Sequence, residues 1–328
     1  MTAILWQVYL PLLGWTLLGT AGGRWMPTGW LAYIGPYPLG RFMFWVGVPL
    51  SIVGFLLETP LNLTAWVAPL FGLSAVGLGG GLAWGWVQLR GKGFCWRRGG
   101  WTAEHHAPTA IPAWSRAEEG SFQLAAMLGN TGYIGFPICL AIGGSSYFIW
   151  ALLYDSIGTL FGAYGFGVWV ASRHGEIQAK GSQIWLHLLR TPSLWAFVVG
   201  LGLAQTPLPH WLTSGLRGFA WAMIPVSLLL LGMRLAQVRD WSGLQKAWVA
   251  LLIKLVIVPS LVGLMLALMP LPGMAKLMIV LQSGMPPAIA TLVLSEEYNL
   301  DRSITVAALA AGYLMALLTL PFWVSLWG

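Results

Sequence analysis

Two short stretches rich in glycine, proline and polar residues interrupt long apolar runs of this chain. Leu128–Pro137 reads Leu-Gly-Asn-Thr-Gly-Tyr-Ile-Gly-Phe-Pro, and Gln282–Pro287 reads Gln-Ser-Gly-Met-Pro-Pro. Proline lacks the backbone donor and clashes with the preceding turn, so each helix must kink or open there. In a bilayer the freed backbone groups need partners, which restricts such breaks to buried or cavity-lining positions. Paired breaks of this kind are typical of the binding site of a secondary transporter.

The composition places nearly the whole chain in lipid. Of its 328 residues, 57% are hydrophobic and 8% are charged, whereas a soluble domain has about 25% charged residues. The formal net charge is +7, but Lys and Arg lie in short loops between apolar runs, which orients a membrane protein and argues against nucleic acid as a partner. The sequence shows no nucleophile and base at informative spacing, no nucleotide-binding glycine pattern and no metal-ligand spacing. We therefore expect no enzyme activity, no cofactor and no bound metal.

Apolar runs of about 20 residues predict ten transmembrane helices. Fourteen of the 17 Lys and Arg fall in connections after odd-numbered spans, whereas Arg217 and Lys276 lie on the opposite side and Lys254 lies within span 8. The positive-inside rule then places both termini outside and the long connection 90–120 in the cytoplasm, in the inner (plasma) membrane of the cell. The spans are 3–21, 38–57, 63–89, 121–144, 147–171, 191–206, 211–233, 246–269, 274–294 and 303–327.

Many of the tryptophans lie near the predicted span ends. An amphipathic indole ring suits the headgroup zone, so these residues are interpreted as interfacial anchors. They include Trp25, Trp30, Trp101, Trp211, Trp241, Trp323 and Trp327.

An internal repeat relates the second and seventh spans. When Pro49 is aligned on Pro225, three further pairs match, namely Arg41 with Arg217, Trp45 with Trp221 and Ser51 with Ser227. Because each half crosses the membrane five times, an odd number, the second half starts on the opposite side of the membrane. The two repeats are therefore inverted relative to each other. We expect an all-α integral membrane fold of ten transmembrane helices: a first five-helix repeat over 1–171, a cytoplasmic connector over 172–190 and a second repeat over 191–328. Broken helices 4 and 9 are then symmetry mates that cross.

The two breaks form the candidate substrate-binding site. At 1.5 Å rise per residue, Asn130 lies about 14 Å and Pro286 about 18 Å into their spans, near the middle of a core about 30 Å thick. Opened helices present N–H groups and positive dipole ends, which suit a carboxylate. The alternative is a pair of kinks filled by neighbouring side chains. The candidate binding residues are Asn130, Thr131, Gly132, Pro137, Gln282, Ser283, Met285, Pro286 and Pro287.

Two ionisable residues lie deep in predicted spans, Asp155 in span 5 and Lys254 in span 8. Charges within the membrane are costly and usually face a cavity or a partner. Asp155 is a candidate for carrying a coupling proton or binding Na⁺, and Lys254 for attracting an anionic substrate. The alternatives are a mutually neutralising pair, or a Lys254 side chain that snorkels to the interface.

The residues of both breaks resemble those of a known family. The fourth-helix crossover of auxin efflux carriers is similar to the motif Asn130-Thr131-x-x-x-Gly135-x-Pro137. Their ninth helix and following loop resemble Gln282–Asn299, above all at Pro286, Ile289, Val293 and Glu297-Tyr298-Asn299. The predicted cytoplasmic loop is short, and in length it is similar to the loop of bacterial members of this family. The family is part of the bile acid/auxin/arsenite transporter superfamily. The resemblance is best in spans 4 and 9–10 and absent from the cytoplasmic loop.

This resemblance implies ten helices in two inverted repeats with both termini outside. It also implies a scaffold domain of helices 1, 2, 6 and 7, through which a homodimer forms, and a transport domain of helices 3–5 and 8–10 that shifts like an elevator. Substrate would bind where helices 4 and 9 cross, with Asn130 holding its carboxylate and the breaks at Pro137 and Pro286 shaping the pocket. The double proline Pro286-Pro287 is a departure that leaves little side-chain polarity in the second break. Ligand identity therefore does not carry over.

The sequence thus predicts a secondary active or facilitative transporter of a small organic anion, a carboxylate, surrounded by membrane lipids. Two alternatives stay open. A sodium-coupled symporter similar to bile acid carriers would need cation ligands around both crossovers, where acidic residues are scarce. A non-transporting membrane receptor or scaffold on the same fold would bind the ligand without moving it.

Overall fold

A computed structural model of the chain is almost entirely helical. It describes residues 2–27, 29–30, 34–58, 63–91, 94–97, 100–103, 114–176, 191–236 and 241–328. The α-helices are Thr2–Trp25 (α1), Pro36–Phe42 (α2), Val48–Glu58 (α3), Ala68–Gly91 (α4), Arg116–Met127 (α5), Phe136–Leu153 (α6), Val168–His174 (α7), Pro192–Leu203 (α8), His210–Ala236 (α9), Leu244–Leu252 (α10), Val258–Ala267 (α11), Gly273–Ser283 (α12), Ile289–Glu297 (α13) and Arg302–Trp327 (α14).

Short irregular helical segments and one hairpin complete the described part. The π-helical segments are Met43–Gly47, Thr131–Gly135, Tyr154–Thr159, Gly162–Gly167 and Ile253–Ile257, and a 3₁₀ segment covers Leu63–Val67. Strands Phe94–Arg97 (β1) and Gly100–Ala103 (β2) pair antiparallel within the connection 90–120, with Trp96 opposite Trp101. Aromatic residues and threonine favour strands, which explains this small departure from a purely helical chain.

Six described helical segments are long and apolar enough to cross a membrane, which is typical of an integral membrane protein. The longest, Thr131–His174, has 44 residues and would extend about 66 Å if straight, too long for one crossing. It is interrupted at Gly144, where φ is 64° and ψ is −175°, a conformation that glycine adopts without a Cβ penalty. That position is the last residue of predicted span 121–144, directly before the connection to span 147–171. The other five are Pro36–Leu57, Leu63–Arg90, His210–Ala236, Leu244–Ala267 and Arg302–Trp327.

One group of packed helices comprises α1, α3, α8 and α9. Helix α9 packs against both α1 and α3, and α3 also packs against α8. The crossing of α1 and α9 is very close: a Cβ on Gly19 would overlap the Leu229 carbonyl oxygen, and one on Gly232 would overlap that of Thr16. Small residues allow such backbone contact between membrane helices.

A second group holds both interrupted helices. Helix α4 packs against α5 and the segment Tyr154–Thr159, α12 packs against α6, and α14 packs against α10 and α12. A row of buried hydroxyls joins three members of the group. The Ser295 oxygen lies 3.4 Å from that of Ser121 in α5 and 2.7 Å from that of Thr305 in α14.

One predicted interfacial tryptophan lies in the interior instead. The Trp323 side chain is 2% exposed, and its indole N–H donates to the Leu255 carbonyl oxygen at 3.0 Å. Leu255 lies in the π-helical segment Ile253–Ile257, where the regular hydrogen-bond ladder is altered. The anchoring interpretation is therefore wrong for Trp323, whereas Trp25 and Trp211 are exposed.

Candidate functional site

The two breaks contact each other through their backbones. The Asn130 N–H donates to the Pro286 carbonyl oxygen at 2.7 Å, and the Ala288 N–H donates to the Leu128 carbonyl oxygen at 3.0 Å. Gly129 lies opposite Pro287 in an isolated antiparallel β-bridge. The interrupted helices thus satisfy part of each other's freed backbone hydrogen bonds, as a break inside a membrane requires.

The local sequence explains why the backbone opens at these positions. Leu128, which ends α5, has extended angles of φ −97° and ψ 118°, and Ala288, which precedes α13, has φ −77° and ψ 148°. Pro286 and Pro287 offer no N–H to continue α12. The first helix restarts at Asn130, which caps the π-helical segment Thr131–Gly135.

The Asn130 side chain is buried and bonded at both ends of its amide. Its Oδ1 accepts from the Tyr133 backbone N–H at 3.2 Å, and its Nδ2 donates to the Tyr313 hydroxyl at 3.0 Å. Because a backbone N–H can only donate, this pair fixes which end of the amide faces which neighbour. Each amide end retains one further hydrogen-bonding position, so Asn130 is oriented and still able to bind a ligand.

A carboxylate lies beside the first break. The Thr131 hydroxyl donates a short hydrogen bond to Asp155 Oδ1, and a Cβ on Gly132 would lie 3.7 Å from Asp155 Oδ2. Asp155 is half-buried and belongs to the π-helical segment Tyr154–Thr159. π-Helical turns occur frequently at functional sites. The structure thus places Asp155 against two of the predicted binding residues.

The Lys254 ammonium lies between the two breaks. Its Nζ donates to the Ser283 carbonyl oxygen at the end of α12 at 2.8 Å, and a Cβ on Gly129 would lie 3.0 Å from the same Nζ. Lys254 is 2% exposed and sits in the π-helical segment Ile253–Ile257. A cation is favourable at the carbonyl end of a helix. Within the described ranges no ion pair joins Lys254 to Asp155.

The polar side chains of the second break point into protein. Gln282 Nε2 donates to the Ala151 carbonyl oxygen at 3.3 Å, and Gln282 Oε1 is buried without a hydrogen-bond partner. The Ser283 hydroxyl donates to the Val280 carbonyl oxygen of its own helix at 2.7 Å. Met285 is fully buried. The second break therefore contributes backbone groups and one unpaired amide oxygen.

A cavity of about 30 Å³ opens beside the first break. A space of this size holds one or two water molecules. Among the predicted site residues, Gly132 and Pro137 contribute to its wall. The Ser227 hydroxyl on the opposite wall lies 3.2 Å from the Tyr133 carbonyl oxygen. The full lining is Met43, Val48, Ser51, Phe55, Gly132, Tyr133, Phe136, Pro137, Ala220, Met223, Ile224 and Ser227.

Of the nine predicted binding residues, Gly132 and Pro137 line the cavity, and the side chains of Asn130, Thr131, Gln282, Ser283 and Met285 are buried. Tyr133, Ser227 and Tyr313 were not predicted as site residues. Ser227 appeared in the sequence only as a repeat partner of Ser51, although both line the cavity. Tyr313 lies in an unbroken apolar helix and carried no sequence signal. Across the described residues no group of three or more His, Cys, Asp or Glu is placed to hold a metal ion.

Comparison with known proteins identifies a family whose model matches a part of the chain that includes both breaks. The family model of membrane transport proteins, the auxin efflux carriers, matches residues 111–324. Two archaeal relatives are also similar. An uncharacterized transporter of Methanocaldococcus jannaschii is 24% identical over 209 residues, covering 62% of this chain and 67% of the relative. An uncharacterized transporter of Methanothermobacter thermautotrophicus is 26% identical over 201 residues, covering 61% and 65%. The match thus spans about two thirds of each relative.

Proposed function

The chain belongs to the auxin efflux carrier family of membrane transporters, and we propose that it moves a small organic anion, a carboxylate, across the membrane by elevator-type alternating access. The observation that carries this proposal is the direct pairing of the two breaks, in which the Asn130 N–H bonds the Pro286 carbonyl oxygen. A transporter needs polar groups at mid-depth to bind its substrate, and the paired breaks supply backbone and side-chain polar groups in an otherwise apolar chain.

The order of the helices supports two inverted repeats of five spans. Helices α5 and α6 with the first break correspond to span 4, and α12 and α13 with the second break correspond to span 9. Ser51 and Ser227, which the sequence repeat pairs, line one cavity. This is the arrangement expected when spans 2 and 7 are related by an axis in the membrane plane.

The two packed groups fit a division into scaffold and transport domains. The group of α1, α3, α8 and α9 corresponds to spans 1, 2, 6 and 7, and we assign it to the scaffold and to a homodimer contact. The group around the breaks contains spans 3–5 and 8–10 and is the transport domain. The backbone bonds between Leu128 and Ala288 and between Asn130 and Pro286 tie both breaks into one body. In this proposal the termini lie outside, with connection 90–120 in the cytoplasm.

The carboxylate binds at the positive ends of the helices that restart after the breaks. The first N–H groups of a helix lack intrahelical partners, and its dipole favours an anion. Thr131–Gly135 restarts after Asn130, whose Nδ2 supplies a further donor. The Lys254 ammonium donates to the Ser283 carbonyl oxygen at the C-terminal end of α12. Its positive charge compensates the negative end of the α12 dipole. In this proposal Asp155, which accepts a hydrogen bond from the Thr131 hydroxyl, carries the coupling proton.

The decisive experiment is uptake of labelled carboxylates into proteoliposomes by three proteins, the wild type and two variants. Asn130→Asp keeps an Oδ1 for the Tyr133 N–H but adds a negative charge that repels an anion, so uptake and binding should be lost in a folded protein. Ser325→Ala is the control, because this exposed serine in α14 lies in neither break and its hydroxyl bonds the Phe322 carbonyl oxygen of its own helix; it should transport normally. Undiminished uptake by Asn130→Asp would refute the site.

Two further outcomes separate this proposal from the alternatives. Uptake that depends on a Na⁺ gradient and not on a pH gradient would favour the sodium-coupled symporter. Binding of carboxylates with no uptake under any gradient would favour a receptor or scaffold on the same fold.

A further inference from the structure

A second cavity, also of about 30 Å³, lies between α9, α13 and α14. Seven of its eight lining residues are apolar or aromatic, and the eighth is Arg234. Tyr313, whose hydroxyl accepts from Asn130, forms part of the wall. The lining is Leu231, Arg234, Leu235, Ile289, Leu292, Val306, Leu309 and Tyr313. The cavity is therefore adjacent to the crossover, because Tyr313 in its wall contacts Asn130, the residue predicted to bind the substrate carboxylate.

The Arg234 guanidinium has unused hydrogen-bonding capacity in this apolar setting. Its Nε is buried with no hydrogen-bond partner, and among the described residues no ion pair involves it. The neighbouring acid Glu296 is paired with Arg302 at 3.3 Å. Burying a polar donor without a partner is costly, and the planar guanidinium suits a carboxylate. A bound anion would provide the hydrogen-bond acceptor that the Arg234 Nε lacks.

The lining residues of α14 extend toward the crossover. Val306, Leu309 and Tyr313 follow each other at three- and four-residue spacing and so share one face of α14. That face extends about 10 Å along the helix axis from Val306 to Tyr313. Arg234 lies near the end of α9 that the charge distribution assigns to the cytoplasm. The wall thus connects a cation on the cytoplasmic side to the Asn130–Tyr313 pair.

We propose that Arg234 is a second anion-binding position, where the substrate carboxylate docks from the cytoplasmic side before it reaches Asn130. This inference rests on the proposed transport of an organic anion. The cavity walls offer an apolar surface beside one cation, so they fit a monocarboxylate with an apolar body better than a dicarboxylate. Helix α9 belongs to the first packed group and α13 and α14 to the second. The cavity of about 30 Å³ holds one or two water molecules, so docking of an organic acid requires the two groups to separate here, as the proposed shift of one group past the other would allow.

The test is calorimetric binding of benzoate to the full-length protein in detergent, with benzamide as its neutral counterpart and succinate as a dicarboxylate. Arg234→Gln should weaken benzoate binding about tenfold, the loss expected for a charge-assisted hydrogen bond, and leave any benzamide binding unchanged. Arg234→Lys should retain most of the benzoate affinity. Arg302→Gln removes the same charge from the neighbouring exposed pair and serves as the matched control.

The outcomes distinguish this inference from the proposed function. Benzoate affinity unchanged in Arg234→Gln but lost in Asn130→Asp would overturn the role of Arg234 and leave the transport site intact. An equal loss in Arg302→Gln would reduce the effect to surface charge and also overturn it. Succinate bound more tightly than benzoate would refute the apolar monocarboxylate. Binding of no carboxylate by the wild type would refute both proposals.

Discussion

The hydrogen bond between Asn130 and Tyr313 gives the sharpest test of the crossover geometry. Tyr313→Phe removes the hydroxyl that accepts from Asn130 Nδ2 at 3.0 Å and keeps the ring. Both residues are buried, so the amide N–H loses its partner where water has little access. Tyr133→Phe is the matched control, because it keeps the backbone N–H that Asn130 Oδ1 accepts.

The expected loss of stability follows from the free energy that an unsatisfied buried hydrogen-bond donor costs. Tyr313→Phe should lower the free energy of unfolding by about 1–3 kcal/mol. Asn130→Ala should lower the free energy of unfolding at least as much, because it leaves both the Tyr313 hydroxyl and the Tyr133 N–H without their hydrogen-bond partner. If the pair interacts directly, the double variant should cost less than the sum of the single ones by about 1 kcal/mol. At a chain length of 328 residues, a loss of about 2 kcal/mol lowers the Tm by about 3 °C.

Thermal unfolding in detergent, followed by tryptophan fluorescence for the wild type and each variant, measures these values. Tyr133→Phe should unfold within about 1 °C of the wild type, since it removes no contact of Asn130. Strictly additive losses for Asn130→Ala and Tyr313→Phe would show that the two side chains do not contact each other. The assignment of Tyr313 to the site would then fail.

Three other changes test the surroundings of the crossover. Gly129→Ala places a Cβ 2.9 Å from Lys254 Cε and should lower the Tm, whereas Gly77→Ala, with no atom within 4 Å, should leave it unchanged or higher. Asp155→Asn should abolish pH-gradient-driven uptake but preserve benzoate binding; uptake still driven by the gradient would contradict its coupling role. Partial burial alone would raise the pKa of Glu118, but hydrogen bonds from Lys246 and the capping serine hold the pKa below its ordinary value. The Tm difference between wild type and Glu118→Gln should therefore be present at pH 7, start to shrink below the ordinary pKa of 4.5, and vanish once the pH falls below the lowered pKa of the folded state; a difference that persists after Glu118 is protonated would exclude the ion pair as its source.

The sequence was sufficient for the breaks because their chemistry is local. Pro286 and Pro287 cannot continue a helix wherever it lies, and an asparagine before Thr131 is a common helix cap. The helix interruption at Gly144 falls at the end of a span predicted from the length of the apolar run. These features depend on neighbours within a few residues, which a single sequence displays.

Features that depend on distant partners were not predictable. Tyr313 bonds Asn130 across 183 residues, and nothing around Tyr313 distinguishes it from an apolar helix position. Trp323 was placed at the interface because it lies near the chain end, but its partner is Leu255 in another helix. The π-helical turns that carry Asp155 and Lys254 also escaped prediction, because their local sequence is compatible with an ordinary α-helix.

The contacts around the crossover also indicate where a transport movement can occur. Two backbone hydrogen bonds and the Lys254 contact join the breaks, so separating them would leave several buried polar groups unpaired. Across the boundary to α9, the Ser227 hydroxyl lies 3.2 Å from the Tyr133 carbonyl oxygen and 2.7 Å from that of Ile224 in its own helix. Ser227 can thus release Tyr133 and remain hydrogen-bonded. In the proposed mechanism, movement of the breaks as one body past α9 breaks this Ser227 contact, whereas opening between the breaks would break the two backbone hydrogen bonds and the Lys254 contact.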